Sequence, residues 1–225
     1  HHKISQKMKP LILINFKAYK EVHGQNALHL AKICEKVSKQ SESTIVIIPQ
    51  LHQLSLIASH VTIPVFSPHV DSLEEGPHTG HTTPSALKAE GVQGVLINHS
   101  EKKVDLEKVA ALVQLCRKHE LQTHVCAPDL QTIRAILNRC TPHSIGYEPP
   151  GLIGGNISVT TNPGIIKDAL LLTGRRGVEL IVGAGIKTKD DIKKAHELGV
   201  SGVLISSAII KAKDQEKALR EFMEQ

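Results

Sequence analysis

Gly91-Val92-Gln93-Gly94-Val95-Leu96-Ile97 and Gly199-Val200-Ser201-Gly202-Val203-Leu204-Ile205 repeat one pattern, G-V-x-G-V-L-I, within a single chain. Each copy follows a stretch of helical composition with an acidic residue close to the glycine, Glu90 or Glu197. The first glycine suits the position just past a helix, where φ turns positive, and the second opens an apolar strand. From Gly91 to Gly199 the offset is 108 residues, room for four helix–strand units of about 27. Dividing all 225 residues by eight gives about 28. The repeat therefore predicts a closed ring of eight units, with the fourth and eighth strands half a turn apart.

The rest of the chain fits that count. Short apolar, β-branched runs fall at 11–15, 44–48, 64–67, 94–98, 123–127, 144–148, 180–183 and 202–206. They are continuously apolar rather than alternating, as strands covered on both faces are. Helical patterns lie between them, for example at 26–39, 105–119, 129–138, 189–198 and 215–223. In the second of these, Val109, Leu112, Val113 and Cys116 form a stripe that would pack on a sheet. No low-complexity linker interrupts the alternation, so the expected fold is one α/β domain, a (β/α)8 barrel over 8–225. Residues 1–7, opening on His1-His2, read as an affinity-tag stub or disordered N-terminus ahead of Met8.

Composition narrows the function classes. Hydrophobic residues make up 40% and charged residues 22%, and no run reaches the ~18 apolar residues of a membrane span. The formal charge of +5 admits a polyanion partner, but the chain has no Trp, two Tyr and three Phe, few rings for stacking nucleic-acid bases. Lys187, Lys189, Lys193 and Lys194 alternate with Asp190 and Asp191, the pattern of a solvated helix face. No nucleic acid and no membrane partner is expected. Cys34, Cys116, Cys126 and Cys140 lack CxxC or metal-ligand spacing, which fits reduced thiols in the cytoplasm. His78 and His81 are three apart, but no cysteine or carboxylate cluster accompanies them, so no metal is expected.

In such a barrel the chemistry belongs to the loops after the strand C-termini. Those positions hold Asn15-Phe16-Lys17, Asn98-His99-Ser100-Glu101, Glu148-Pro149-Pro150, Gly183-Ala184-Gly185 and Ser206-Ser207. A lone lysine or glutamate at a strand end is usually only where the chain meets water. A cation, an imidazole and a carboxylate converging on one mouth supply an electrostatic partner, a hydrogen-bond donor and a base. The Gly-x-Gly and Ser-Ser loops resemble a barrel phosphate site, where backbone N–H groups hold a dianion.

These segments resemble the triosephosphate isomerase family, in particular its shorter archaeal-type members. The matching residues are Asn15-Phe16-Lys17, His69-Val70-Asp71 with Gly80 and Leu87-Lys88, Asn98 to Glu101, Tyr147 to Pro150 with Leu152-Ile153-Gly154, and Gly183 to Ile186. The resemblance implies a TIM barrel, no cofactor, and interconversion of dihydroxyacetone phosphate and D-glyceraldehyde 3-phosphate through an enediolate, a step of glycolysis and gluconeogenesis. It implies Glu148 as the base, neutral His99 as the electrophile, Lys17 as the charge partner and Asn15 as an aid in positioning the oxygen, the pairing of a carboxylate base with a neutral imidazole that characterises this family. It also implies phosphate contacts from Gly154, Gly185, Ser206 and Ser207, with Ser100 and Glu101 behind His99. Pro149, Pro150, Gly151, Leu152, Ile153, Gly155 and Asn156 would form the lid. Thr79 would enter a neighbouring subunit near its Asn15 and Lys17, in a homodimer or tetramer.

The chain departs from the family pattern at Gly151, at Gly154-Gly155-Asn156, and at Ser206-Ser207, where glycines are common. Added lid glycines raise the entropy lost on closure by ~0.5–1 kcal/mol each. Two alternatives stay open: another phosphate-binding barrel enzyme, which the Gly-x-Gly and Ser-Ser loops alone would allow, or a weakly active or non-catalytic homologue that acts as a binder, suggested by the basic balance and the unusual lid.

Overall fold

A computed structural model of the chain describes residues 10–149, 161–183 and 185–223. Within them eight strands, all parallel, form one sheet: β1 Leu11–Asn15, β2 Thr44–Ile48, β3 Phe66–Ser67, β4 Gly94–Ile97, β5 Gln122–Ala127, β6 Ser144–Tyr147, β7 Glu179–Val182 and β8 Gly202–Ile205. The order is β2-β1-β8-β7-β6-β5-β4-β3. A parallel bridge from Ile47 to Val65, with the Ile47 N–H donating to Pro64 O at 3.1 Å, brings β3 back to β2 and closes the ring. Strands β4 and β8, the two copies of the repeat, lie four places apart. The third strand, expected at 64–67, keeps only Phe66–Ser67 as regular ladder.

Helices cover the outside: α1 Gln25–Lys39, α2 Leu54–Ala58, α3 Pro84–Ala89, α4 Leu106–Lys118, α5 Leu130–Leu137, α6 Pro163–Gly174, α7 Lys189–Glu197, α8 Ser207–Ile210 and α9 Gln215–Met223. The expected stripe of α4 is the face it buries: Val109, Leu112, Val113 and Cys116. On α7 only Ala195 is buried, and its lysines and Asp190 face solvent as the alternating charges predicted. Outside the ring, α1 and α9 join the two ends of the chain through Lys36–Glu216 at 2.9 Å and Arg220–Gln40 at 2.8 Å.

Both glycines of the repeat act as the pattern required. Gly91 and Gly199 follow α3 and α7 with φ of 83° and 96°. Gly94 and Gly202 face the barrel interior, where a Cβ would lie 2.6 Å from the Phe66 ring and 2.2 Å from Leu11 O. The interior itself is a separate apolar cluster that includes Leu13, Val46, Ile48, Phe66, Leu96, Cys126, Ile181 and Leu204. Backbone contact at Gly202 leaves no soft neighbour to yield. Gly202→Ala should therefore cost about 1–3 kcal/mol in urea unfolding. Gly174→Ala, at the end of α6 with nothing among the described residues within 4 Å of the added methyl, should be neutral or stabilise by about 0.4–1 kcal/mol.

Candidate active site

The C-terminal ends of β1, β4, β6, β7 and β8 open on one cleft. Part of it is lined by Asn15, Lys17, Glu148, Gly185, Ser206 and Ser207. An adjoining cavity of about 620 Å³ shares Asn15 and Lys17 and adds His99 and Glu101. The structure thus brings together Asn15, Lys17, His99, Glu101, Glu148, Gly185, Ser206 and Ser207, with Ser100 half-buried in the same turn. Pro149 is described, whereas Pro150, Gly151, Leu152, Ile153, Gly154, Gly155 and Asn156 lie outside the described residues, as do residues 1–7. Thr79 stands exposed in a turn beside Gly80, whose φ is 85°.

Lys17 leaves β1 with a left-handed backbone, φ 51°, and the Asn15 side chain holds that turn by accepting the Lys17 N–H at 3.0 Å. The ammonium pairs with Glu101 Oε1 at 2.8 Å, across from the β4 loop. Ser206 donates its hydroxyl to Asn15 O at 2.8 Å, so the rim is stitched where β8 meets β1. Neither Ser206 nor Ser207 has a positive φ, which removes the steric objection to serines in this loop.

His99 is buried, 4% exposed, and the Glu101 N–H donates to its Nδ1 at 3.1 Å. An Nδ1 that accepts leaves the single ring proton on Nε2. The Glu101 carboxylate also lies 3.5 Å from Nδ1, but with no proton on that nitrogen this is proximity and not an ion pair. On the other side, His99 Nε2 is 3.2 Å from Glu148 Oε2. The two are misaligned for a hydrogen bond, and both are buried without a partner among the described residues. A donor and an acceptor left unmet side by side cost about 1–3 kcal/mol each, an arrangement that suits a ligand able to satisfy both.

Glu148 begins where β6 ends, with its N–H bonded to Ala127 O at 3.0 Å. Its side chain lies across Gly183, where a Cβ would come within 3.1 Å of Glu148 Cγ and Oε1. Gly183 is thus part of the carboxylate's seat, which sequence reading did not reveal because a Gly-x-Gly turn has its own reasons for glycine. Deeper in the barrel, His124 is fully buried, with Nδ1 2.7 Å from Ser144 Oγ and Nε2 without a partner among the described residues. Gly146 makes room for it, since a Cβ there would sit 2.5 Å from His124 Nε2. Burial, aided by nearby His99, pushes the His124 pKa down to about 3. The sequence signal for this residue was only a histidine inside an apolar run. Among the described residues no group of three or more His, Cys, Asp or Glu is arranged to hold a metal.

A closed parallel barrel whose mouth gathers a lysine, a proton-bearing imidazole and a carboxylate beside the Gly185 and Ser206–Ser207 loops defines a (β/α)8 protein with a cluster of acid–base groups at its C-terminal mouth. The model of the family described as triosephosphate isomerase matches residues 10–223. The chain is 40% identical over 216 residues to the triosephosphate isomerase of Methanocaldococcus jannaschii, covering 95% of this chain and 98% of that one. To the enzymes of the same name from Methanothermus fervidus and Metallosphaera sedula it is 38% identical, over 96% and 95% of this chain and 98% and 94% of theirs. The chain belongs to the triosephosphate isomerase family.

His124 gives a pH-dependence with a definite sign. Above the unfolded-state pKa of about 6.5 the ring is neutral whether folded or not. Below it the unfolded chain takes up a proton that the folded barrel refuses until the pH approaches 3, so stability falls as the pH falls through that window. In His124→Gln the acid limb of stability against pH should be shallower by up to about 1.4 kcal/mol per pH unit, read from urea unfolding at several pH values. Parallel limbs for the two proteins would show that His124 protonates without opening the barrel.

Proposed function

We propose that the chain interconverts dihydroxyacetone phosphate and D-glyceraldehyde 3-phosphate, with no cofactor. Membership of the family supports the reaction, and one observation carries the assignment of roles: the unmet Nε2 of His99 and Oε2 of Glu148, 3.2 Å apart at the mouth of the barrel. Glu148 takes a proton from the carbon beside the substrate carbonyl and returns it to the neighbouring carbon. The His99 Nε2–H donates to the carbonyl oxygen as negative charge gathers there, and the ring relays protons between the two oxygens of the enediolate. Lys17, anchored by Glu101 and by Asn15, supplies the positive charge that the anionic substrate and intermediate need. The N–H groups at Gly185, Ser206 and Ser207 receive the phosphate, and Gly154 joins them when the segment from Pro149 to Asn156 covers the site. Water is thereby excluded, so that a carboxylate becomes an adequate base for a carbon acid.

The domain is read as 8–225. No helix among the described residues is long and apolar enough to cross a membrane. Four free thiols suit a reducing compartment, the cytoplasm. Thr79, on its exposed turn, is assigned to a contact with a second copy in a homodimer or tetramer.

Glu148→Gln should lower kcat by about 10²–10⁴-fold with little change in KM in a triose phosphate assay. Full activity in that variant would remove Glu148 from the mechanism. Gly183→Ala, which leaves every reacting group in place but crowds the Glu148 side chain, should lower kcat by about tenfold. In light scattering at micromolar concentration the chain should run as a dimer or larger, and a monomer alone would contradict the role given to Thr79.

A further inference from the structure

Asn98 is the last residue before His99 and has φ 62°, a left-handed conformation that is uncommon outside glycine. Strands β4 and β5 pair in register through Ile97 and Val125, and there the ladder stops because the backbone turns away. The Asn98 side chain continues it. Its Nδ2 donates to Cys126 O at 3.0 Å, one rung further along β5. Its Oδ1 accepts the Val104 N–H at 2.9 Å, closing the turn that carries His99, Ser100 and Glu101.

The consequence lies in what else is tied to the end of β5. The Glu148 N–H bonds to Ala127 O, the residue after Cys126. His99 and Glu148 are therefore held by adjacent carbonyls of one strand, the first through the Asn98 side chain and the second through its own backbone. The distance between His99 Nε2 and Glu148 Oε2 depends on both attachments.

We propose that Asn98 is a positioning residue for the reaction. It sets the aim of the His99 ring relative to the Glu148 carboxylate by fastening the His99 turn to β5. Asn98 touches no reacting atom in this role, which rests on the isomerase reading for its catalytic consequence but not for its geometry. Asparagine suits the position for two separate reasons. It tolerates the left-handed backbone, and it offers a donor and an acceptor at once.

Two variants separate these reasons. Asn98→Gly keeps the backbone freedom and removes both side-chain bonds. Asn98→Asp keeps the acceptor for Val104 and places an oxygen where the donor to Cys126 stood. Two readouts are taken on each: the nitrogen-edited NMR signal of the His99 Nε2–H in the ligand-free protein, and steady-state kinetics with glyceraldehyde 3-phosphate. In both variants the ring signal should shift or broaden, and kcat should fall about 10- to 100-fold while KM stays within about threefold. An unmoved ring signal in Asn98→Gly overturns the proposal, as does unchanged kcat in an isomerase whose Asn98 variants fold. If the parent protein shows no isomerisation, the functional reading fails, and the ring signal still decides whether Asn98 aims His99.

Discussion

A ring of eight parallel strands encloses one interior of fixed width, and each side chain facing it shares that volume with its neighbours. Where one strand contributes nothing, the next contributes bulk. At Gly94 the space goes to the Phe66 ring, at Gly202 to the flank of Leu11, and at Gly146 to the His124 imidazole. At the mouth the same rule operates between Gly183 and Glu148. The lower pairs complete the packing of the barrel and are repaid in buried surface. The uppermost pair holds a carboxylate, so the placement of an ionisable group derives from the steric complementarity that fills the barrel beneath it.

The backbone at the rim is strained in a patterned way. Among the described residues three non-glycine positions have positive φ: Lys17, Asn98 and Glu120. Two of them adjoin the cleft. Each left-handed residue costs about 1–3 kcal/mol unless its surroundings over-determine it. At Lys17 the compensation is the Asn15 side chain, and at Asn98 it is the residue's own amide bridging Cys126 and Val104. Glu101 then joins the two loops, meeting Lys17 with its carboxylate and His99 with its backbone N–H. One residue thus sets both the position of the cation and the tautomer of the imidazole.

The barrel was legible because it is built from repetition. The apolar runs marked all eight strands to within one or two residues, and the paired G-V-x-G-V-L-I segments set the closure. What escaped were elements lacking the signal that was read. Helix α6 is apolar on most of its surface, through Ile165, Ile166, Ala169, Leu170, Leu171 and Leu172, so no stripe stands out. Helices α2 and α3, of five and six residues, are too short to show a period. In the site, the ionisable residues announced themselves by ending apolar runs. Gly183 and Asn98 also stood at strand ends, but their roles did not show there, nor did that of His124, because those roles exist only between neighbouring strands of the folded barrel. A glycine that seats a carboxylate reads in one dimension like a glycine that makes a turn.

Partner groups left unmet in the resting protein have an energetic consequence for the ligand. Among the described residues His99 Nε2 and Glu148 Oε2 are buried without partners, and His124 Nε2 lies unpartnered below them. Folding bears that desolvation because the ring closes at both edges and the helices bury a continuous shell around it. A ligand that offers an oxygen to the imidazole and an acidic carbon to the carboxylate relieves the first two, and relieves them most when negative charge has built up on that oxygen. His124 receives no such relief, since Gly146 and Ser144 enclose it. In the proposed reaction the unmet atoms at the mouth thus favour the charged intermediate over the resting state, whereas the one in the interior only lowers stability as the pH falls.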